Sequence, residues 1–159
     1  MKPFIKKILL VASLAATLFV AAAIFLIVGK KSFVYKETEV AFGNKVFQVE
    51  LAETLLQQQR GLSGREFLAE DRGMLFISAS RRIQNFWMVG MKFPLDIIWI
   101  RGNEVVGIEK NVPPHAGGTP IIYTSPSPAD GVLEINAGLA DKLGIKEHHI
   151  ITLSLPVLN

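Results

Sequence analysis

The chain has 159 residues, of which 50% are hydrophobic and none is cysteine. This composition is too apolar for an ordinary water-exposed domain of this length, so one segment must carry the excess. The first 31 residues contain five lysines and no acid, which leaves 12 of the 17 basic residues against 14 acidic ones, a net charge of −2. Composition therefore gives no support for nucleic-acid binding, and the lack of cysteine excludes thiolate catalysis.

Residues 8–28 form an apolar run without charge, proline or glycine. As a helix this run would be about 31 Å long, the thickness of a bilayer core. The alternative is a cleaved signal peptide, whose apolar region is typically about 7 to 15 residues long. We predict a retained membrane anchor at residues 1–31, with one transmembrane helix at about 8–28 as the contact with the cell membrane. The domain that follows is expected on the extracytoplasmic side, periplasmic or outer.

Beyond residue 31 the pattern changes to short β-like runs separated by turn residues. Gly43-Asn44 and Gly102-Asn103 each stand between two such runs and predict β-hairpins. Thr54 and Gln57 predict a capping box for a short helix that ends at Gly61. The predicted strands are 33–42, 45–52, 74–77, 84–88, the hairpin at 94–111, 131–135 and 149–155; the predicted helices are 55–60 and 137–143, the second capped by Asn136.

These elements predict a single domain at residues 32–159 that is mainly β, on the border of the α+β class. We expect a compact antiparallel, partly closed, β-barrel-like structure with two short helices. No strand–helix–strand rhythm or glycine-rich phosphate motif is present, so we predict neither a doubly wound nucleotide-binding fold nor a cofactor. The histidines His115, His148 and His149 lack the spacing of a metal signature, so we predict no metal site.

Two acids, Asp96 and Glu134, stand within apolar runs that predict buried strands. A buried carboxylate costs several kcal/mol unless it is paired and hydrogen-bonded, so each acid needs a partner. An arginine suits this role because its planar fork can bind both carboxylate oxygens. The candidate arginines are Arg60, Arg65, Arg81 and Arg82. Two interpretations remain open for the acids: a structural role, as an internal ion pair or a backbone-bonded acid, and a catalytic or ligand-binding role.

Phe86, Trp87 and Met88 form a cluster of large side chains close to Met91 and Phe93. Such a cluster could be an aromatic ligand-binding platform. It is more often part of a core, because large aromatic side chains bury about 150 to 250 Å² each and small domains need that area. Both interpretations stay open at this point.

Five strings of the chain resemble the signature segments of the family called domain of unknown function 192 (DUF192), in the same order. They are Arg60-Gly61-Leu62-Ser63-Gly64-Arg65, Gly73-Met74-Leu75-Phe76-Ile77, Phe86-Trp87-Met88, Pro94-Leu95-Asp96-Ile97-Ile98-Trp99-Ile100 and Val132-Leu133-Glu134-Ile135-Asn136-Ala137-Gly138. The resemblance covers about residues 40–155. It implies a small β-rich bacterial or archaeal domain, often behind a signal sequence or anchor, with no established biochemical activity.

The chain departs from the family pattern in two places. The family typically continues Lys-Asn-Thr after Phe-Trp-Met, whereas this chain has Val89-Gly90-Met91. Many members carry a cysteine in the proline-rich loop, and this chain has none. Any role of that lysine, asparagine or cysteine therefore does not carry over.

Three functions are compatible with these features. We favour a binding or accessory module acting on an envelope component, with its ligand or protein partner unknown. The rival is a hydrolase-like enzyme that uses Asp96 and Glu134 as an acid/base pair and an arginine, such as Arg60, as electrostatic stabiliser. The third is a purely structural envelope protein. The enzyme requires both carboxylates in one cleft, the binding module requires a concave apolar surface, and the structural protein requires that all acids are paired.

Overall fold

A computed structural model of the protein describes residues 34–154. The apolar run at residues 8–28, and with it the predicted anchor, lies outside the described residues. Within residues 34–154 no helix is both long and apolar enough to cross a membrane.

The described residues form nine strands and two short helices, in agreement with the predicted mainly β class. The strands are β1 (Lys36–Phe42), β2 (Lys45–Ala52), β3 (Arg72–Arg82), β4 (Asn85–Phe86), β5 (Leu95–Arg101), β6 (Glu104–Val112), β7 (Tyr123–Thr124), β8 (Ala129–Asn136) and β9 (Thr152–Ser154). The helices are α1 (Leu55–Arg60) and α2 (Leu139–Lys142).

Seven strands form one sheet in the order β6-β5-β8-β3-β2-β1-β9, and β4 and β7 form a separate two-stranded ribbon. The sheet curls into a half-barrel, because the segment just before β9 also reaches β6. Ile150 bridges to Glu104, and the Val105 N–H donates a hydrogen bond of 2.9 Å to the His149 carbonyl. The predicted partly closed β-structure is therefore confirmed in its coarse form.

The prediction of an antiparallel sheet is wrong at one pair. β2 and β3 are parallel, with Gln48 opposite Arg72 and Leu51 opposite Leu75. Residues 53–71, which include α1, carry the chain from the end of β2 back to the start of β3, as a parallel pair requires. All other neighbouring strands of the described residues are antiparallel.

The local turn and capping signals are confirmed. Gly43 lies between β1 and β2 with a φ of 56°, a left-handed value that favours glycine. The Thr54 side chain accepts a hydrogen bond from the Gln57 N–H, and the Gln57 side chain accepts one from the Thr54 N–H. This capping box opens α1, which ends at Gly61.

The predicted cap of the second helix is wrong. Helix α2 begins after Gly138, which makes no side-chain cap. The Asn136 amide instead donates to the carbonyl of Leu68 at 2.9 Å and to that of Ala69 at 3.1 Å. The cap is supplied from another strand, because the Asp96 carboxylate accepts a hydrogen bond of 2.8 Å from the Ala140 N–H.

The sheet carries a hydrophobic cluster on each face. Alternate residues of β8 divide between the clusters, with Leu133 and Ile135 in the first and Val132 in the second. The first cluster includes Leu139 of α2, whereas the side chain of Phe86, from the two-stranded ribbon, packs against the second. Glu134 lies on the second face, two residues along β8 from Val132.

Candidate functional site

Glu134 is buried and has no partner among the described residues. Its side chain is only 5% exposed, and its strand neighbours are Met74 on β3 and Ile97 on β5, both fully buried. Within residues 34–154 no hydrogen bond or charged group acts on its carboxyl, and burial alone raises the pKa of Glu134 to about 8. The carboxyl is therefore protonated and neutral at pH 7.

Glu134 lines a cavity of about 170 Å³ on the second face of the sheet. An engineered apolar cavity of about 150 Å³ is large enough to bind benzene, so a small organic molecule fits here. The walls come from α1 and the turn after it, from β3, and from the segment around β4. Its apolar lining includes Leu62, Phe76, Phe86, Trp87, Val89 and Met91.

Hydrogen bonds fix the polar wall of the cavity. The Gln84 side chain donates to the Ser78 hydroxyl and to the Ala129 carbonyl, both at 2.9 Å. The Gln58 side chain donates to the Ile77 carbonyl at 2.8 Å and to the Ala52 carbonyl at 3.1 Å. The cavity is therefore held by elements that are tied to one another, which is the preorganisation that a binding site needs.

The predicted aromatic cluster divides among three environments. Phe86 packs edge-to-face against Phe76 and Trp99, with ring centroids 4.8 and 5.6 Å apart, and it also lines the cavity. Trp87 lines the cavity too but is 49% exposed. Met88 is buried and lines a different cavity, beside the proline-rich loop.

Two arginines line the same cavity as Glu134. Arg60 is the last residue of α1 and Arg82 the last residue of β3, and both are exposed. Arg82 makes no ion pair with any residue between 34 and 154. Its neighbour Arg81, by contrast, binds Asp130 with an Nε to Oδ2 distance of 2.8 Å.

Asp96 lies elsewhere and is satisfied by the backbone. It is fully buried, and its two carboxylate oxygens accept hydrogen bonds of 2.8 Å from the N–H groups of Asn111 and Ala140. Asp96 is paired with Ile135 across β5 and β8, so its side chain and that of Glu134 point to opposite faces of the sheet. The structure therefore does not bring Asp96 and Glu134 into one cleft, as an acid/base pair requires. Nor is the Asp96 carboxylate held by Arg60.

Several lining residues were not among the predicted site residues, for example Ser63, Gln84 and Val89. A signal for part of the site was nevertheless present, because four of the five signature strings contribute to the cavity wall. The part of the chain that the structure describes holds no group of three or more histidine, aspartate or glutamate residues placed to bind a metal ion.

The fold and the cavity define a class: a small, mainly β domain with a preformed cavity on one face of a curled sheet. The chain belongs to the DUF192 family (uncharacterised ACR), whose model matches residues 37–153. The comparison with curated proteins gives no match.

Two solved structures are similar to this chain. One, from Sinorhizobium meliloti 1021 and described provisionally as a transcription regulator, is 29% identical with a TM-score of 0.71; the match covers 77% of this chain and 98% of that one. The other, a protein of unknown function from Novosphingobium aromaticivorans DSM 12444, is 33% identical with a TM-score of 0.67; the match covers 77% of this chain and 89% of that one.

Proposed function

We propose that the protein is a membrane-anchored, extracytoplasmic binding or accessory module that takes a small ligand into the cavity above Glu134. One observation carries this proposal: Glu134 is buried, has no partner among the described residues and lines a cavity of about 170 Å³. A pocket whose lining combines apolar and aromatic side chains with convergent polar groups is typical of ligand sites.

A purely structural role accounts poorly for Glu134. An apolar side chain of similar volume would fill this position without the cost of burying a carboxyl group. Folds tolerate such a cost mainly where function requires it. The Asp96 carboxylate provides the contrast, because backbone donors satisfy both of its oxygens.

An acid/base enzyme is supported less than a binding module. Among the described residues that line the cavity, Glu134 is the one acid, and no histidine accompanies it. The transcription-regulator description belongs to the Sinorhizobium relative, and the net charge of −2 beyond residue 31 gives no support for extending it to this chain.

The methionine methyl groups provide a direct test of binding. The chain has four methionines; Met91 lines the cavity above Glu134, whereas Met88 lines the separate one. Phenol titrated into full-length protein carrying 13C-labelled methionine methyl groups should shift the Met91 signal saturably, through the ring current of the bound probe. Met91→Leu assigns the signal, and the Met88 signal reports binding at the other cavity.

Glu134→Leu is the decisive variant in this experiment. Loss of one hydrogen bond to the probe should weaken binding by up to about tenfold, while Glu134→Gln, which keeps a polar group, should restore most of it. If phenol leaves the Met91 signal unchanged, or shifts it equally in Glu134→Leu, the binding proposal is wrong.

The proposed location rests on the apolar run at residues 8–28 and is tested separately. Full-length protein should stay in the membrane fraction after a carbonate wash, and protease added from the outside should digest the domain. Release at the size expected for cleavage near Ala23 would contradict the anchor, and protection from external protease would contradict the orientation.

A further inference from the structure

We infer that the ligand is a small organic anion with a flat apolar body, bound at the cavity mouth by Arg82 and at the buried end by a hydrogen bond from Glu134. This inference rests on the proposed binding function and specifies its ligand class. Three features of the cavity carry it: the charge of its mouth, the shape of its apolar wall and the hydrogen-bonding group at its buried end.

The mouth of the cavity is positively charged. Arg82 is exposed and makes no ion pair with any residue between 34 and 154, whereas Glu134 is buried and neutral at pH 7, so no negative charge from the described lining residues balances the Arg82 guanidinium group. A guanidinium group binds a carboxylate through two parallel hydrogen bonds. An organic cation would meet only repulsion at this position.

Part of the cavity lining is apolar and aromatic. Phe76 and Phe86 are already fixed edge-to-face, and the half-exposed ring of Trp87 belongs to the same lining. Aromatic side chains favour offset-stacked or edge-to-face contacts with another ring. The volume of about 170 Å³ accommodates one six-membered ring.

The buried end of the cavity offers a hydrogen-bond donor. A protonated carboxyl carries one O–H donor, and the Glu134 carboxyl makes no hydrogen bond to the described residues. A ligand hydroxyl or carbonyl oxygen that accepts this bond satisfies the buried group. The complementary ligand therefore has an anionic group at one end of a ring and a neutral oxygen at the other.

A matched series of para-substituted benzenes tests each feature in the full-length protein at pH 6.5. The probes are 4-hydroxybenzoate, its neutral amide 4-hydroxybenzamide, the cation 4-hydroxybenzylamine, and benzoate, which lacks the inner hydroxyl. The saturable shift of the Met91 methyl signal again reports the affinity. We expect 4-hydroxybenzoate to bind about tenfold tighter than its amide, and the amine to bind weakest.

Two pairs of variants separate the contributions. Arg82→Gln should remove most of the preference for 4-hydroxybenzoate over its amide while leaving amide binding in place. Arg81→Gln, one position earlier on β3 and outside the cavity lining, should leave the preference intact. Glu134→Leu should weaken the binding of 4-hydroxybenzoate to the affinity of benzoate. Glu134→Gln should keep most of the difference in affinity between these two probes.

The outcomes distinguish the two proposals. If the amide or the amine shifts the Met91 methyl signal at the same concentration as 4-hydroxybenzoate, or at a lower one, the anion inference is overturned while the binding proposal stands. The same holds if Arg81→Gln removes the preference as fully as Arg82→Gln. If neither phenol nor any probe of the series shifts the Met91 methyl signal saturably, both proposals are wrong.

Discussion

Replacing Glu134 by glutamine should stabilise the protein at neutral pH and leave its stability nearly unchanged in mild acid. The substitution keeps the shape of the side chain and removes its ability to ionise. No described residue forms a hydrogen bond with the Glu134 carboxyl, so replacing the acid by the amide breaks no hydrogen bond to those residues. The wild type and Glu134→Gln therefore differ mainly in whether residue 134 can gain or lose a proton.

The magnitude follows from the pKa. Burial raises the pKa of Glu134 from 4.5 to about 8 in the folded protein. Below pH 4.5 both the folded and the unfolded chain hold the proton, and the full stability is present. Between pH 4.5 and 8 only the folded chain holds it, so the free energy of unfolding falls by about 1.4 kcal/mol per pH unit. By pH 7 the accumulated loss is about 3 kcal/mol, and above pH 8 it is complete.

The assay is urea denaturation of the full-length wild type and of Glu134→Gln at pH 5, 6, 7 and 8. Glutamine does not titrate, so the stability difference between the proteins should grow from less than about 1 kcal/mol at pH 5 to about 3 kcal/mol in favour of the variant at pH 7. Other groups titrate equally in both proteins and cancel. A difference that does not change with pH would refute the reasoning, as would a variant that is less stable than the wild type at pH 7.

Three further substitutions test the structural roles assigned above by chemical denaturation. Asp96→Asn, the same acid-to-amide change on the opposite face, should destabilise by about 1.5 to 3 kcal/mol, because one charge-assisted hydrogen bond to the backbone is lost; equal stability would contradict the assignment. Thr54→Ala should lower the free energy of unfolding by about 1 kcal/mol, because it removes the side-chain cap of α1. Gly107→Ala should cost about 1 to 3 kcal/mol, since its Cβ would lie 2.5 Å from the Pro126 ring; a neutral effect would show that this contact relaxes freely.

Local signals were sufficient to predict the hairpins and the first helix. The Gly43-Asn44 and Gly102-Asn103 turns lie where expected, and the Thr54 to Gln57 capping box begins α1 at the predicted residue. Each of these features depends on residues within a few positions of one another. The interactions that form them are made within a short stretch of sequence, so contacts with the rest of the chain rarely change them.

Non-local contacts account for the predictions that were wrong. The parallel pairing of β2 with β3 depends on where residues 53–71 return the chain, which no local pattern specifies. Asn136 is a good helix cap by type, but its amide is engaged by carbonyls about 67 residues away, while Asp96, 44 residues from Ala140, caps α2 instead. Long-range partners competed with the local one and displaced it.

The difference between the two buried acids shows why the site could not be predicted from the sequence alone. The sequence places Asp96 and Glu134 in similar apolar strands, and each was expected to need a partner. Strand register decides their roles: Asp96 lies opposite Ile135 and Glu134 opposite Ile97, and a shift of one residue would have put both carboxyls on the same face. On one face, backbone N–H groups from β6 and α2 reach the Asp96 carboxylate. On the other face the Glu134 carboxyl meets a cavity, so the group left for a ligand to satisfy is the one that the fold itself does not use.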